Sequence, residues 1–208
     1  SVRQYGRLDR NPGSRRQHTE VDMGDRVDEA FAAHPRTGFL PERQRRFADR
    51  DAPLPIGHGQ TNSQPSTVAR MLRLLEVPVG AKVLDVGAGS GWTTALLAHL
   101  VGPTGSVVGV ELEPELAAWG AANLAATGQP WARIVPAVPG VLGLPDEAPF
   151  DRILVSAEAP VLPRALVEQL ADGGRIVVPV ARGLEVGRRT GDDLAVTRFE
   201  GYRFVPLR

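Results

Sequence analysis

Cysteine is absent from the 208-residue chain. That excludes disulfides, thiolate nucleophiles and Cys-ligated metals, and it is compatible with a reducing cytoplasm. Lysine is almost absent too: Lys82 is the single one, and arginine carries nearly all the positive charge. Bases and acids balance at 24 each, so no long-range field steers the protein toward nucleic acid or an anionic membrane. No apolar run approaches the roughly 20 residues that a membrane-spanning helix requires. The first residues, SVRQYGRLDRNPGSRRQHTE, lack the apolar centre of a signal peptide. Their polarity without periodicity predicts a mobile arm over residues 1–20. His18, His34, His58 and His99 show no metal-ligand spacing, and no metal site is expected. What is present is 42% apolar residues, enough for one domain with a full core.

Residues 22–34 repeat apolar side chains at Val27, Ala30 and Phe31 near helical spacing, with Asp22 as a candidate cap. After an irregular stretch comes DAPLPIGHGQTNSQP, residues 51–65. Its prolines and glycines argue against a regular element, and so constrained a loop in a compact domain is uncommon unless it has a task. Pro65 then opens a helix whose apolar face is Val68, Met71, Leu72 and Leu75. From Lys82 onward, strands and helices alternate: AKVLDVG, WTTALLAHLV, SVVGVE, PELAAWGAANLAATG, ARIVP, FDRILVS, LPRALVEQLADGG and RIVVPV. This predicts an α/β fold with a mostly parallel sheet covered on both faces. The tail LEVGRRTGDDLAVTRFEGYRFVPL alternates instead, around a GDD turn, and predicts antiparallel strands at one edge.

VLDVGAGSG ends the first of these strands with Asp85 and sets Gly87, Gly89 and Gly91 at the turn into a helix. Small residues let a ligand approach the backbone, and the helix start offers free N–H groups. Glu111 ends the next strand, 20 residues past Gly91, where a carboxylate can accept both hydroxyls of a ribose. The dinucleotide fingerprint has a third glycine where this chain has Trp92. An acid so near the turn repels a pyrophosphate and suits a cation, which favours S-adenosylmethionine over NAD. The bland alternative is a tight turn and an unrelated strand-end acid. The candidate cofactor contacts are Asp85, Gly87, Ala88, Gly89, Ser90, Gly91, Glu111 and Leu112.

From about Val27 to Leu207 the chain resembles the protein-L-isoaspartate O-methyltransferase family, through HPRTGFLP, DAPLPIGHGQTNSQP, KVLDVGAGSGW, APFDRILVSAEAP, LVEQLADGGRIVVPV and FVPL. The PLPIG-x-GQT-x-SQP pattern is the specific part; the glycine turn is shared by many methyltransferases. The resemblance implies a Rossmann-like methyltransferase sheet with an N-terminal helical cap. It implies a single domain over 21–208, with cap and substrate loop at 21–80 and the core at 81–208. It implies methyl transfer from S-adenosylmethionine to the α-carboxylate of an L-isoaspartyl residue in a protein or peptide, followed by collapse to a succinimide, a repair reaction. Thr61 and Ser63 would be the catalytic pair, with Gln60, Asn62 and His58 on the substrate side. A cytoplasmic monomer is expected, acting on neither nucleic acid nor membrane.

Three departures from the family pattern bear on the site. Asn62 stands where an apolar residue is usual. PAVPGVLGLP replaces a G-D-G, placing Val138 at the first glycine and Pro139 at the acid near the adenine. Proline has no N–H and no side-chain acceptor, so adenine recognition there falls to backbone groups or apolar contact. Glu158 stands where a small residue is common. Two other readings stay open beside repair: a methyltransferase retuned to another carboxylate in a modified peptide, and a donor-binding protein without catalysis. Several side chains have bland uses as well. Ser63 or Gln64 can cap the helix opened by Pro65. His58 can face solvent, Trp119 can be core or a wall of the adenine pocket, and Arg43, Arg45 and Arg46 can be a solvated face.

Overall fold

The computed structural model describes residues 26–208, so the expected arm at 1–20 and the cap at Asp22 lie outside the described residues. Helix α1 covers 26–33. It buries Val27 and Ala30 and sets Phe31 edge-on to Trp92, ring centroids 5.2 Å apart. A 3-10 turn at Arg36–Phe39 and the short α2 (Glu42–Arg45) follow.

The stretch 51–65 contains a regular element, contrary to expectation. Strand β1 (Leu54–Gly57) pairs antiparallel with β2 (Gln60–Asn62). Proline is tolerated because a two-stranded ribbon has two free edges; Pro55 is exposed while Leu54 and Ile56 alternate inward. The turn is Gly57-His58-Gly59, all at positive φ. Leu54 and Ile56 pack with Leu40, Leu116 and Trp119. Trp119, half-buried, packs against this small cluster.

Helix α3 (Pro65–Leu75) buries Val68, Met71, Leu72 and Leu75, each worth about 1.5–3 kcal/mol relative to exposure. Neither Ser63 nor Gln64 caps it by a side-chain hydrogen bond. Asp51 does this instead, accepting from the Ser66 N–H at 2.9 Å and from Gln64 Nε2 at 3.1 Å.

The main sheet is formed by β3 (Lys82–Val86), β4 (Ser106–Glu111), β5 (Ala132–Pro136), β6 (Phe150–Val155), β7 (Leu170–Val180), β8 (Gly183–Thr190) and β9 (Asp193–Glu200). Their order is β5-β4-β3-β6-β7-β8-β9. The first five pair in parallel, and β8 and β9 add antiparallel beyond β7. Helices α4 (Trp92–Val101) and α5 (Pro114–Ala125) cross from β3 to β4 and from β4 to β5. Successive connections run one way from β3, and the chain then returns to β6 on its other side. That reversal opens a crevice at the carboxyl ends of β3 and β6.

The segment 162–174 departs from the expected helix. Only α6 (Arg164–Val167) is helical, and β7 already begins at Leu170. The Phe150 N–H donates to the Gln169 carbonyl at 2.8 Å, which draws the chain into the sheet early. The register then slips between the pairs Phe150–Leu170 and Arg152–Arg175, and Gly173, at φ +74°, accommodates the bulge. Among the described residues no helix is long and apolar enough to cross a membrane.

Candidate functional site

The turn after β3 is latched to β4 by the Gly87 and Ala88 N–H groups, which both donate to the Val110 carbonyl. It lies in backbone contact with α5. A Cβ on Gly91 would stand 2.7 Å from the Gly120 carbonyl oxygen, and one on Gly120 would stand 2.5 Å from that of Gly89. Gly91 also sits at φ +88°, so both space and conformation demand glycine there. Trp92, at the position of the missing third glycine, turns toward the cap: its indole N–H donates to the His34 carbonyl at 2.9 Å.

Asp85 is fully buried. One carboxylate oxygen accepts from the Thr93 and Thr94 hydroxyls at 2.8 and 2.7 Å. The other has no partner. Burial pushes its pKa up to about 6, the threonine hydrogen bonds oppose this, and Glu111 adds to it. An uncompensated acid beneath the turn favours a cation above it.

Glu111 is held in place by two backbone donors, Gly89 N–H at 2.8 Å and Glu113 N–H at 3.0 Å, one to each oxygen. Each oxygen keeps a further lone pair for a ligand hydroxyl.

A cavity of about 520 Å³ opens over the turn. It brings together Gln60, Thr61, Asn62 and Ser63 from the hairpin, Gly87 to Ser90 from the turn, Glu111 and Leu112 from β4 and its end, and Val138 and Pro139 beyond β5. Asp85 and Gly91 do not line it and act from beneath. His58 is not among the lining residues either. It sits at the hairpin tip, with Nε2 3.1 Å from Glu115 and Nδ1 3.9 Å from Glu113. Among the described residues the Thr61 and Ser63 hydroxyls have no protein partner. Glu158 is not part of the wall; its N–H and carbonyl instead pin the tail at Val205 and Leu207.

Asn62 is committed to the protein. It accepts from Arg36 Nε at 2.6 Å and donates to Ser90 Oγ at 3.0 Å. Arg36 is the hub that sequence reasoning missed. Its guanidinium also donates to the carbonyls of Arg50, Ala52, Asn62 and Ser63. Among the described residues no carboxylate is hydrogen-bonded to it, and burial lowers its pKa to about 10, opposed by Asp51. The one available signal was a single arginine inside HPRTGF. Ser156 and the tail residues Val205 to Arg208 also line the cavity, and no local pattern announced them.

A family profile for protein-L-isoaspartate(D-aspartate) O-methyltransferase matches residues 14–208. Among curated proteins, the protein-L-isoaspartate O-methyltransferase of Aeropyrum pernix is 54% identical over 74% of this chain and 60% of its own length. That of Methanopyrus kandleri is 47% identical over 88% of this chain and 83% of its own length. A solved protein-L-isoaspartate O-methyltransferase superposes with a TM-score of 0.81 at 25% identity, covering 93% of this chain and 66% of that one. A Plasmodium falciparum β-aspartate methyltransferase, solved in complex with S-adenosyl-L-homocysteine, superposes with a TM-score of 0.78 at 25% identity over 96% of this chain and 99% of its own. The chain spans less than two thirds of the Aeropyrum relative but most of the Methanopyrus one. With a profile match over nearly its whole length and these relatives beside it, the chain belongs to the protein-L-isoaspartate(D-aspartate) O-methyltransferase family.

Proposed function

We propose that this protein is an S-adenosylmethionine-dependent carboxyl O-methyltransferase that esterifies L-isoaspartyl residues of damaged proteins or peptides, initiating their repair. When bound, S-adenosylmethionine supplies an activated methyl group. The residues present fit it: an uncompensated buried acid beneath a glycine turn, and an oriented carboxylate at the end of the next strand. Asp85 favours the cationic end. Gly87 to Ser90 admit it to close range, and Glu111 with Leu112 holds the ribose.

The acceptor carboxylate is ionised at neutral pH, so the site needs no general base. It needs alignment, worth up to roughly 7–11 kcal/mol in the best intramolecular cases. Thr61 and Ser63 supply this by donating their hydroxyls to the carboxylate oxygens. A hydroxyl holds such an oxygen without the bidentate grip of an arginine, which would quench its nucleophilicity. Arg36 stays behind the hairpin and, through Asn62 and the backbone carbonyls, fixes it in place.

The single observation that carries this reading is the pair of unpartnered hydroxyls, Thr61 and Ser63, in the same cavity wall system as the glycine turn and Glu111. The test is to incubate the protein and methyl donor with an isoaspartyl peptide and its aspartyl twin, and to follow mass. A gain of one methyl group on the isoaspartyl peptide alone is expected. Methylation of the aspartyl twin instead would assign the site to another carboxylate.

A further inference from the structure

Taking this cavity as the methyl-donor site proposed above, we propose that its base-binding wall does not read position 6 of the purine. The site would accept 6-oxo and N6-substituted nucleosides about as well as adenosine.

The sheet order fixes which segment meets the base. Glu111 ends β4, and the neighbouring strand β5 runs out into residues 137–143. A nucleoside held through its ribose at Glu111 and its amino-acid end at the turn presents its base to that segment. Among the described residues lining the cavity there, every side chain is aliphatic: Ala137, Val138, Pro139, Val141 and Leu142. A 6-amino group is a donor, and selecting it over a 6-oxo group requires a fixed acceptor. Pro139 offers neither a side-chain acceptor nor an N–H. Two of the wall's carbonyls are already engaged: that of Val138 by the Val141 N–H at 3.0 Å and that of Leu142 by Gln169 Nε2 at 2.9 Å.

The wall is anchored at both ends. The Ala137 N–H donates to the Glu111 carbonyl at 2.8 Å. Buried Gln169 accepts from the Leu144 N–H at 2.8 Å. Its Oε1 stands where a Cβ on Gly143 would lie only 2.5 Å away. The rim beyond is open. Val138 is 59% exposed and Val141 42%, so a group carried on N6 covers apolar surface that water now touches.

Calorimetry on the full chain with three ligands tests this: S-adenosyl-L-homocysteine, its inosine counterpart and an N6-benzyl derivative. Dissociation constants within about fivefold of one another are expected, less than the tenfold or so that one well-made hydrogen bond would impose. A loss of about 30-fold or more with the inosine ligand, which also carries a proton on N1, shows that the 1,6 edge of the base is read, and overturns the proposal. The same loss with the benzyl ligand shows a closed rim, and also overturns it. Pro139→Asp adds the missing acceptor, and should create a preference of about tenfold or more for the amino over the oxo ligand. An unchanged ratio in that variant means residue 139 does not face the base, against the proposal. Failure of S-adenosyl-L-homocysteine itself to bind would instead remove the donor-site reading on which the comparison stands.

Discussion

At the scale of single residues, Asp85 and Ser63 carry opposite kinds of consequence. Asp85 takes up a proton more readily in the folded chain, where its pKa is about 6, than in the unfolded one, where the ordinary value is 3.8. Between those values the folded state binds more protons, so this carboxyl lowers stability progressively as pH rises. Its cost is absent below about pH 4 and complete above about pH 6, and it amounts to roughly 3 kcal/mol. Asparagine does not titrate. The stability of Asp85→Asn relative to the native chain should therefore rise by about 3 kcal/mol between pH 4 and pH 7.5. Urea unfolding at both pH values measures this, and a constant difference would contradict the assignment. Ser63 should matter only when the acceptor is present. A hydrogen bond to a charged oxygen contributes about 1.5–3 kcal/mol, so Ser63→Ala should lower kcat/KM roughly 10- to 150-fold. S-adenosylhomocysteine affinity should stay within about threefold. Equal loss of both would mean that Ser63 shapes the loop and nothing more. Asp85 stood out in the sequence by its place just before a glycine turn, whereas the role proposed for Ser63 comes from the family resemblance. Arg36 did not stand out. Its importance comes from five hydrogen bonds, donated by three guanidinium nitrogens to carbonyls and an amide 14 to 27 residues away.

At the scale of elements, the hairpin β1–β2 is held by polar pins in place of a large apolar face. Asn62 joins it to Arg36 behind and to Ser90 in the glycine turn in front. The family resemblance set Asn62 on the substrate side, where an apolar residue is usual; the hydrogen bonds make it a strut between cap and turn. Asn62→Leu would strand a buried guanidinium N–H and leave Ser90 without its donor. Removing one partner of a buried charged group costs about 3 kcal/mol. Unfolding in urea should register a loss of that order, and a neutral result would show that the strut carries no load. The parallel strands and their helices were legible because apolar runs and helical periods are properties of contiguous residues. The hairpin was hidden by prolines that edge strands tolerate. The helix expected over 162–174 failed for the converse reason. Leu166 and Leu170 are both buried, a spacing that a helix and a helix-to-strand passage satisfy equally, and the Phe150 N–H decides between them from outside the segment.

At the scale of the whole molecule, four of the cavity's walls come from distant parts of the chain: the hairpin, the turn after β3, the segment 137–143 and the tail from Val205. One direct tie is buried, the Asn62–Ser90 hydrogen bond between hairpin and turn; the hairpin tip and the tail also reach the residues after β4, through pairs that lie nearer the surface. His58 approaches Glu113 and Glu115, and Arg208 Nη2 lies 2.9 Å from Glu113. Exposed pairs of this kind contribute about 0–1 kcal/mol each and weaken with salt. The tail is fixed more firmly by its two backbone hydrogen bonds to Glu158, a pairing that no local pattern in FVPL could announce. A ligand touching all four walls adds to these ties. At 100 times its dissociation constant it stabilises the fold by about 2.7 kcal/mol through mass action alone. Because the walls share one ligand, amide hydrogen exchange should slow together in 54–63, 86–92, 137–143 and 205–207 when S-adenosylhomocysteine binds. The distant edge strands β8 and β9 lie at the far end of the sheet order and should change only by the global increment. Slowing confined to 86–92 would mean that the donor sits on the turn without engaging hairpin or tail. The hairpin would then close on the acceptor alone, and Ser63 would meet the donor only in the ternary complex.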